Sequence, residues 1–379
     1  MNAEAGTSTS ADLGIVFAGG GTGGHIHPGL AVAETLEAMA PGRTRCVFVV
    51  SDRAIDARVL DAERLCGEPI ERMVSPARPL AFAPSAIVKF SLRWGAGVRV
   101  GREAVAMLRG CGRVAMLATG GFVSAPAIMG ARAEGIERWV VTLDAVPGKA
   151  NRLAERFATR GYRVGTGEGR IPPIVRARMR DLPSPAHARL ALGLDAGRRT
   201  LLISGGSQGA GSVNGFVLET LRRSPELFDG WQVIHQAGGS AGTDREQLLA
   251  AWSDAGVPSL VEPYIERMDL ALASADAAIG RAGAGTVAAL WATGVRALLL
   301  PYPHHADGHQ RLNAGPLVEA GGAMIATDFI DPARNADAHG EALAALLDIE
   351  EGAQRREAMQ SLGPADGADR LARDLLALL

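Results

Sequence analysis

A short apolar run, Gly14 to Ala18, empties into the turn Gly19-Gly20-Gly21-Thr22-Gly23-Gly24, followed by His25 and Pro28. No other stretch constrains the fold as much. Glycine supplies positive φ and lets a backbone approach a ligand without Cβ interference. Pro28 suits a first helical position, where its missing N–H costs nothing. A helix starting there points unpaired N–H groups into the turn, which makes it a phosphate- or sugar-facing loop. The same order returns later: Thr200 to Ser204 reads as a strand, Gly205 to Ala210 as a second glycine turn, and a helix runs on to Leu221. Strand, glycine turn and helix appearing twice in 379 residues predict two doubly wound α/β domains.

The rest of the chain fits that frame. Cys46–Val50 reads as a strand with a helix around Ala54 to Leu65, then Val114–Ala118 as a strand before Gly120, Gly121 and Ser124, and Trp139–Leu143 before Asp144. Strands at Gln232–His235, Ser259–Glu262, Ala277–Gly280 and Ala297–Leu300 continue the alternation, which implies parallel sheets. Ligands bind at the carboxyl ends of such strands, so the loops at 237–242, 264–268, 281–286 and 301–310 are expected to converge. Asp181 to Pro185 has the composition of an interdomain connection. The expected division is a disordered tail at 1–12, a first domain at 13–177 and a second at 178–365. Residues 366–379 read as a final amphipathic helix with Leu371, Leu375 and Leu378 on one side.

Composition excludes several classes. No apolar run reaches the ~20 residues needed to span a bilayer, and the first twelve residues lack the basic and apolar regions of a signal peptide, which predicts a cytoplasmic protein. Three scattered cysteines, Cys46, Cys66 and Cys111, fit reduced structural thiols. A net charge of -2 argues against nucleic acid as the main partner. Locally, no acidic residue occurs from Arg72 to Arg102, where Arg78, Lys89, Arg93, Arg99 and Arg102 interleave with Leu80, Phe82, Phe90, Leu92 and Trp94. That stretch reads either as a surface for anionic headgroups or as an ordinary loop and helix with a buried apolar side.

Chemistry narrows the loops. Gly19-x-Gly21-x-x-Gly24 satisfies the dinucleotide fingerprint and Asp52 ends the second strand, so a nicotinamide or flavin enzyme is a rival reading. Its acid lies farther along than the usual ~20 residues, and it leaves the second glycine turn without a role. His25 is either a backbone-bonded histidine or a general base for a sugar hydroxyl. His304, His305, Asp307 and His309 suggest a metal, but no carboxylate or cysteine cluster completes the set. There is no Asp-x-Asp pair to hold a metal-bound diphosphate. No metal and no cofactor are expected, and helix N-termini with Ser207 and Arg176 are the candidates for neutralising a diphosphate.

Together, GGGTGGHIHPGLAVAETL, TGGFVSAP, VPGKANRLA, GGSQGAGSVN, RAGAGTVAAL and PYPHHADGHQRLNA resemble the MurG family over nearly the whole length. These are bacterial transferases that add N-acetylglucosamine to the lipid-linked muramyl pentapeptide of peptidoglycan synthesis. The resemblance implies a GT-B fold, two Rossmann-like domains with a cleft between them and the last helix packing back on the first. UDP-N-acetylglucosamine would sit mainly on the second domain. Position by position it implies Ser207 and Arg176 at the diphosphate, Ile265 as the backbone reader of uracil, and Ala284, Gly285, Thr286, Val287, Ala288 and Ala289 as the helix start under the nucleotide. His309 and Gln310 would bind the sugar. Thr22, Gly23, Gly24 and His25 resemble the acceptor loop; the first three, with Asp144, count among donor-binding positions as well. Gly120, Gly121, Ser124, Asn151 and Asn214 fall on the acceptor side. The implied reaction is inverting: His25 takes the proton of the acceptor C4 hydroxyl while UDP leaves. Arg78 to Arg102 falls where the family docks on the cytoplasmic face of the membrane.

Two positions depart from the family. Its His-Glu-Gln-Asn segment appears as Val141, Thr142, Leu143 and Asp144, and its ribose-gripping glutamate falls at Ala289. Losing that charge-assisted pair of bonds costs roughly 1.5 to 3 kcal/mol of donor binding. Three readings therefore stand: the peptidoglycan transferase, a related transferase with another lipid or small acceptor, and a non-catalytic paralogue that binds a nucleotide sugar.

Overall fold

A computed structural model of the chain describes residues 11–21, 23–78, 84–206, 209–239, 245–305 and 307–379, with backbone alone at 84–89, 349 and 351–352. The chain divides into two compact units, 1–143 with 147–176 and 366–379, and 144–146 with 177–365.

The first unit runs β1 (Leu13–Gly19), α1 (Gly23–Met39), β2 (Thr44–Val50), α2 (Ala54–Asp61), β3 (Arg64–Leu65), β4 (Glu68–Pro69), β5 (Arg72–Val74), α3 (Pro84–Met107), β6 (Arg113–Gly120), α4 (Ser124–Ala133), β7 (Glu137–Thr142), α5 (Lys149–Glu155) and β8 (Arg160–Arg163). Its main sheet has the order β5-β2-β1-β6-β7-β8, and every pairing is parallel. All seven residues of β1 are buried, because helices cover both faces. Leu13, Ile15 and Phe17 pack on the α1 side with Ile26, Leu30 and Leu36. Val16 and Ala18 face the other way, against Ala104, Leu108, Ala127 and Ile128. A strand buried on both faces reads as a continuous apolar run, which is why Gly14 to Ala18 shows no alternation.

Two local expectations change. α1 begins at Gly23, so Pro28 is its sixth residue rather than its first. Proline has no N–H to return to the Gly24 carbonyl, and the early start places His25 in the first turn of the helix. α2 stops at Asp61 instead of Leu65, because the chain turns through Cys66 (φ 52°) and Gly67 (φ 79°) to pair β3 with β4.

The second unit runs α6 (Pro185–Ala191), β9 (Arg199–Ser204), α7 (Gly211–Arg223), β10 (Trp231–Gln236), α8 (Arg245–Asp254), β11 (Ser259–Glu262), α9 (Met268–Ser274), β12 (Ala277–Gly280), α10 (Ala284–Thr293), β13 (Arg296–Leu299), α11 (His309–Asn313), α12 (Gly315–Glu319), β14 (Ala323–Ile325), α13 (Pro332–Leu347) and α14 (Ile349–Gln360). Its sheet repeats the arrangement of the first, β11-β10-β9-β12-β13-β14, again all parallel. Phe216, Trp231, Trp252 and Leu298 lie in its core. The chain passes between units after Arg176, ahead of the segment Asp181 to Pro185. That segment builds the start of α6 instead: Ser184 Oγ accepts from the His187 N–H at 3.3 Å and Pro185 takes the first turn.

After α14 the chain rejoins the first unit. Ile174 and Asp366 form an isolated bridge, the Gly367 N–H donates to the Pro173 carbonyl at 3.1 Å, and α15 (Gly367–Leu376) packs on α1. Leu371 and Leu375 are fully buried in the core that holds Ile15 and Leu30, and the Tyr162 hydroxyl donates to Asp374 Oδ2 at 2.8 Å. Among the described residues no helix is long and apolar enough to cross a membrane. Because α15 completes the core beneath α1, Leu371→Ala is expected to destabilise the first unit by about 2 to 5 kcal/mol. Urea denaturation followed by hydrogen exchange of the β1 and β6 amides checks this; a loss under 1 kcal/mol would show that α15 only rests on the surface.

Candidate functional site

In the first unit the site grows from β1 and β6, whose carboxyl ends are neighbours with Gly19 opposite Gly120. β6 ends in Gly120 and Gly121, at φ 122° and 81°. The His25 ring lies against this turn: a Cβ on Gly120 would stand 2.7 Å from His25 Cδ2, and one on Gly121 3.2 Å from Nδ1. The two glycines are therefore the seat of the imidazole. The Thr119 hydroxyl donates to the His25 carbonyl and fixes the helix start to the same strand. Gly23 is buried and Gly24 exposed in that first turn; Thr22 lies outside the described residues.

The glycine turn is gripped from α2. Asp56 Oδ2 accepts from the Gly21 N–H at 2.8 Å and from the Ser51 N–H at 2.9 Å and hydroxyl at 2.6 Å. Arg53 Nη1 donates to the Gly21 carbonyl at 2.7 Å, and its guanidinium stacks on Phe122 at 5.2 Å. Neither residue was singled out from the sequence, although Asp56 sits in the first turn of a helix that follows a strand end.

Other expected positions in this unit are occupied by structural bonds. Asp52, the ribose candidate of a dinucleotide site, pairs with Arg78, which holds its carboxyl below the usual range. Ser124 is buried and closes the turn, its one hydroxyl proton shared between the Ala18 carbonyl at 3.0 Å and the Gly120 carbonyl at 2.6 Å, so the hydroxyl faces inward. Asn151 donates to the Val141 carbonyl at 3.4 Å. Arg176, expected at the diphosphate, is buried and committed to Glu34 and Glu63. Burial works against its charge, but the two carboxylates outweigh it and raise its pKa. A diphosphate role requires it to leave both.

On α3 the cations are less naked than their sequence suggests. Arg99 is 3.5 Å from Glu103 and Arg102 2.8 Å from Glu134. Trp94 is half-buried against the core, whereas Leu92 is 71% exposed and Arg93 exposed beside it. The side chains of 79–89, including Leu80, Phe82 and Lys89, lie outside the described residues.

In the second unit Gln236, at the end of β10, joins two loops. Its Nε2 donates to the Gly206 carbonyl at 2.8 Å in the glycine turn, and its Oε1 accepts the Ile265 N–H at 3.0 Å. Ser207 itself lies outside the described residues. Gly209, at φ 80°, lets the turn pass the next loop, since a Cβ there would stand 2.7 Å from Gly238 Cα. Asn214, expected on the acceptor side, is 3% exposed and turned inward. Its Nδ2 donates to the Ala237 carbonyl at 3.0 Å and its Oδ1 meets His235 Nε2 at 3.0 Å, while Trp252 Nε1 donates to His235 Nδ1 at 3.2 Å. This sequence of bonds assigns His235 the neutral tautomer with the proton on Nε2, and burial pulls its pKa down to about 3.

β12 delivers Arg281 and then α10, whose first turn holds Ala284, Gly285 and Thr286, with Gly285 exposed. Val287 is buried; Ala288 and Ala289 are half-buried, and the Ala289 carbonyl accepts from Thr293 Oγ1 at 2.8 Å. α10 carries no charged residue, so its N-terminus offers N–H groups and the dipole to an anion. Arg281 is held by Asp328 at 2.6 Å and donates to the Ser212 hydroxyl at 2.9 Å. Burial tends to raise the Asp328 carboxyl, but Ser212, Asn335, the Ile330 N–H and Arg281 together hold it below its ordinary value. Asn313, unremarked in the sequence, donates to Asp144 Oδ1 at 2.9 Å and the Ala282 carbonyl at 3.2 Å and accepts the Ala145 N–H at 2.7 Å. It places Asp144 beside the α10 turn.

The segment after β13 is an aromatic cluster. His305 stacks near His309 (4.4 Å between centroids) and meets Tyr302 at 4.9 Å, while His309 Nδ1 is 2.7 Å from Asp307 Oδ1. Burial, then His309, lowers the pKa of His305. Gln310 Oε1 accepts the Tyr302 N–H at 2.9 Å. Among the described residues no group of three His, Cys, Asp or Glu side chains could hold a metal ion.

Residues 15–163 match the glycosyltransferase family 28 N-terminal domain and residues 200–360 its C-terminal domain. A UDP-N-acetylglucosamine--N-acetylmuramyl-(pentapeptide) pyrophosphoryl-undecaprenol N-acetylglucosamine transferase of Clavibacter sepedonicus is 36% identical over 376 residues, covering 96% of each chain. One of the same description from Leifsonia xyli subsp. xyli is 35% identical, covering 94% of this chain and 96% of that one. Among solved structures, Acinetobacter baumannii MurG superposes with a TM-score of 0.67 at 22% identity, over 97% of this chain and 99% of that one. The Streptomyces nogalater glycosyltransferase SnogD gives 0.60 at 17%, over 97% and 100%. These likenesses show the GT-B fold.

The neutral His235 has a stability signature. Between pH about 6.5 and about 3 the unfolded chain binds a proton that the folded chain refuses. Its contribution is therefore complete above pH 6.5 and is lost as pH falls through that window. Urea denaturation at a series of pH values is expected to show a slope larger in the wild type than in His235→Gln, by up to ~1.4 kcal/mol per pH unit. Equal slopes would mean that His235 titrates normally.

Proposed function

This chain belongs to the MurG family of glycosyltransferase family 28, and from that membership we propose that it transfers N-acetylglucosamine from UDP-N-acetylglucosamine to lipid-linked N-acetylmuramyl pentapeptide. Within the structure, the reading is carried by the His25 ring seated on Gly120 and Gly121 at the carboxyl edge of the first sheet. Backbone without Cβ atoms holds the imidazole on one side, and the acceptor sugar binds beside it. His25 takes the proton from the acceptor C4 hydroxyl, whose oxygen attacks the anomeric carbon from the face opposite the leaving group. The bond from that carbon to UDP breaks, UDP departs with the electron pair, and the α-linked donor becomes a β-linked product. Transfer of N-acetylglucosamine by one displacement needs only this base and a site that stabilises the departing diphosphate.

The second unit supplies the donor loops. N–H groups of Ala284, Gly285 and Thr286 at the start of α10 meet the diphosphate, and Asp144, His309 and Gln310 stand near the sugar. The Ile265 N–H is taken by Gln236, so the base edge is read by the Ile265 carbonyl. α3 lays Leu92, Arg93 and Arg99 on an anionic membrane at the cytoplasmic face, as a peripheral contact.

Incubation with labelled UDP-N-acetylglucosamine and the lipid-linked muramyl pentapeptide tests the reading. Transfer is expected, and His25→Ala is expected to lower kcat by roughly 10²- to 10⁴-fold with donor affinity unchanged. Donor turnover only with some other acceptor, or donor binding without turnover, would sink the proposal. For the surface, sedimentation with phosphatidylglycerol vesicles is expected to carry the protein down, less so for Leu92→Glu and at high salt. Equal binding to neutral vesicles would remove α3 from the membrane.

A further inference from the structure

The amino-terminal edge of the second sheet, opposite the donor loops, holds a concentration of arginine that the transfer reaction does not use. β9, β12 and β13 are adjacent, with Ala277 opposite both Leu201 and Arg296. Arg199 therefore opens β9, Asp276 precedes β12 and Arg296 opens β13 at one edge. Arg296 is only 5% exposed, and its Nε is buried without a hydrogen-bond partner. Asp276 is already engaged: its Oδ2 accepts from Arg189 Nη2 at 2.7 Å and the Thr200 N–H at 2.8 Å, and its Oδ1 faces Arg356 at 3.8 Å. Arg199 stacks on Trp231 with 4.9 Å from guanidinium carbon to ring centroid. Arg189 and Arg356 both face Asp276, and Arg199 and Arg356 act on Arg296 as like charges, Asp276 and Asp348 as opposite ones. Burying a cation without its hydrogen bonds is costly, and native structures rarely leave such a group unmatched. A tetrahedral dianion matches the guanidinium fork and the local excess of positive charge.

We propose that this edge is a binding site for a phosphate dianion, free or as a small monoester, anchored by Arg296 and flanked by Arg199 and Arg356. Arg356, facing Asp276, is 43% exposed in its side chain and can be reached from solvent. The ligand is distinct from the donor diphosphate, whose loops leave the opposite ends of the same strands, and the assignment does not depend on which acceptor the enzyme uses.

Thermal denaturation in chloride, and with inorganic phosphate or glycerol phosphate added at equal ionic strength, tests it. Either phosphate is expected to raise Tm saturably in the wild type. Arg296→Met is expected to weaken the apparent affinity at least tenfold, as loss of a charge-assisted bond does. In chloride the same variant is expected to melt no lower than wild type, because it removes a buried guanidinium whose Nε has no hydrogen-bond partner. Arg356→Gln, at a partly exposed position, keeps the fold and binds several-fold more weakly. General salt effects and phosphate at the donor loops act alike on all three proteins and cancel. The proposal is overturned if phosphate leaves the wild-type Tm unchanged, if all three proteins respond equally, or if Arg296→Met is destabilised in chloride.

Discussion

Each unit depends on the parallel pairing of one central strand on both sides, β1 between β2 and β6 and β9 between β10 and β12. Parallel neighbours cannot be joined by tight turns, so each connection must cross back, here mostly through a helix. The crossovers cover both sheet faces, burying β1 completely and β9 except at its two ends. They also send the loop after each strand out at the same edge. The His25 turn, the Gly120 seat, the 205–210 turn and the α10 N-terminus occupy their places for this single reason.

Position along that edge is coarse, and buried polar side chains refine it. Asp56 holds Gly21, Gln236 joins Gly206 to Ile265, Asn214 holds Ala237, and Asn313 holds Asp144 and Ala145. A hydrogen bond of this kind contributes only about 1 kcal/mol net, but leaving its partner unmatched in the interior costs about 1 to 3. The loops are therefore held by the penalty for moving as much as by the bonds. Arg296 is one counterexample, a buried charge whose Nε has no partner.

Much of the fold was legible because its signals are local. Apolar runs, glycine turns and the repeated strand-turn-helix order located the central strands of both sheets. The edge strands β5 and β8 are short and only partly apolar, and β14 is only three residues long, so none of them stands out in the sequence. The site was legible where glycine had to be glycine, as at Gly120 and Gly121, and illegible where a polar residue acts across the chain. Asn214 and Ser124 read as ligands by their place in motifs, yet their amide and hydroxyl groups face the interior. Arg176 read as a free cation because Glu34 and Glu63 lie 142 and 113 residues away.

The sequence by itself determined two doubly wound domains, the glycine turns at their strand ends and membership of a transferase family, since hydrophobic runs, residues permitting positive φ and motif order are properties of neighbouring residues. Only the tertiary structure decided that Pro28 lies inside its helix, that the acid-free stretch from Arg72 to Arg102 meets Asp52 and Glu134 from elsewhere, and that His25 rests on the backbone of β6. Charge pairing and ring seating depend on distances between segments far apart in the chain. Those distances are set by packing, which no local pattern of residues records.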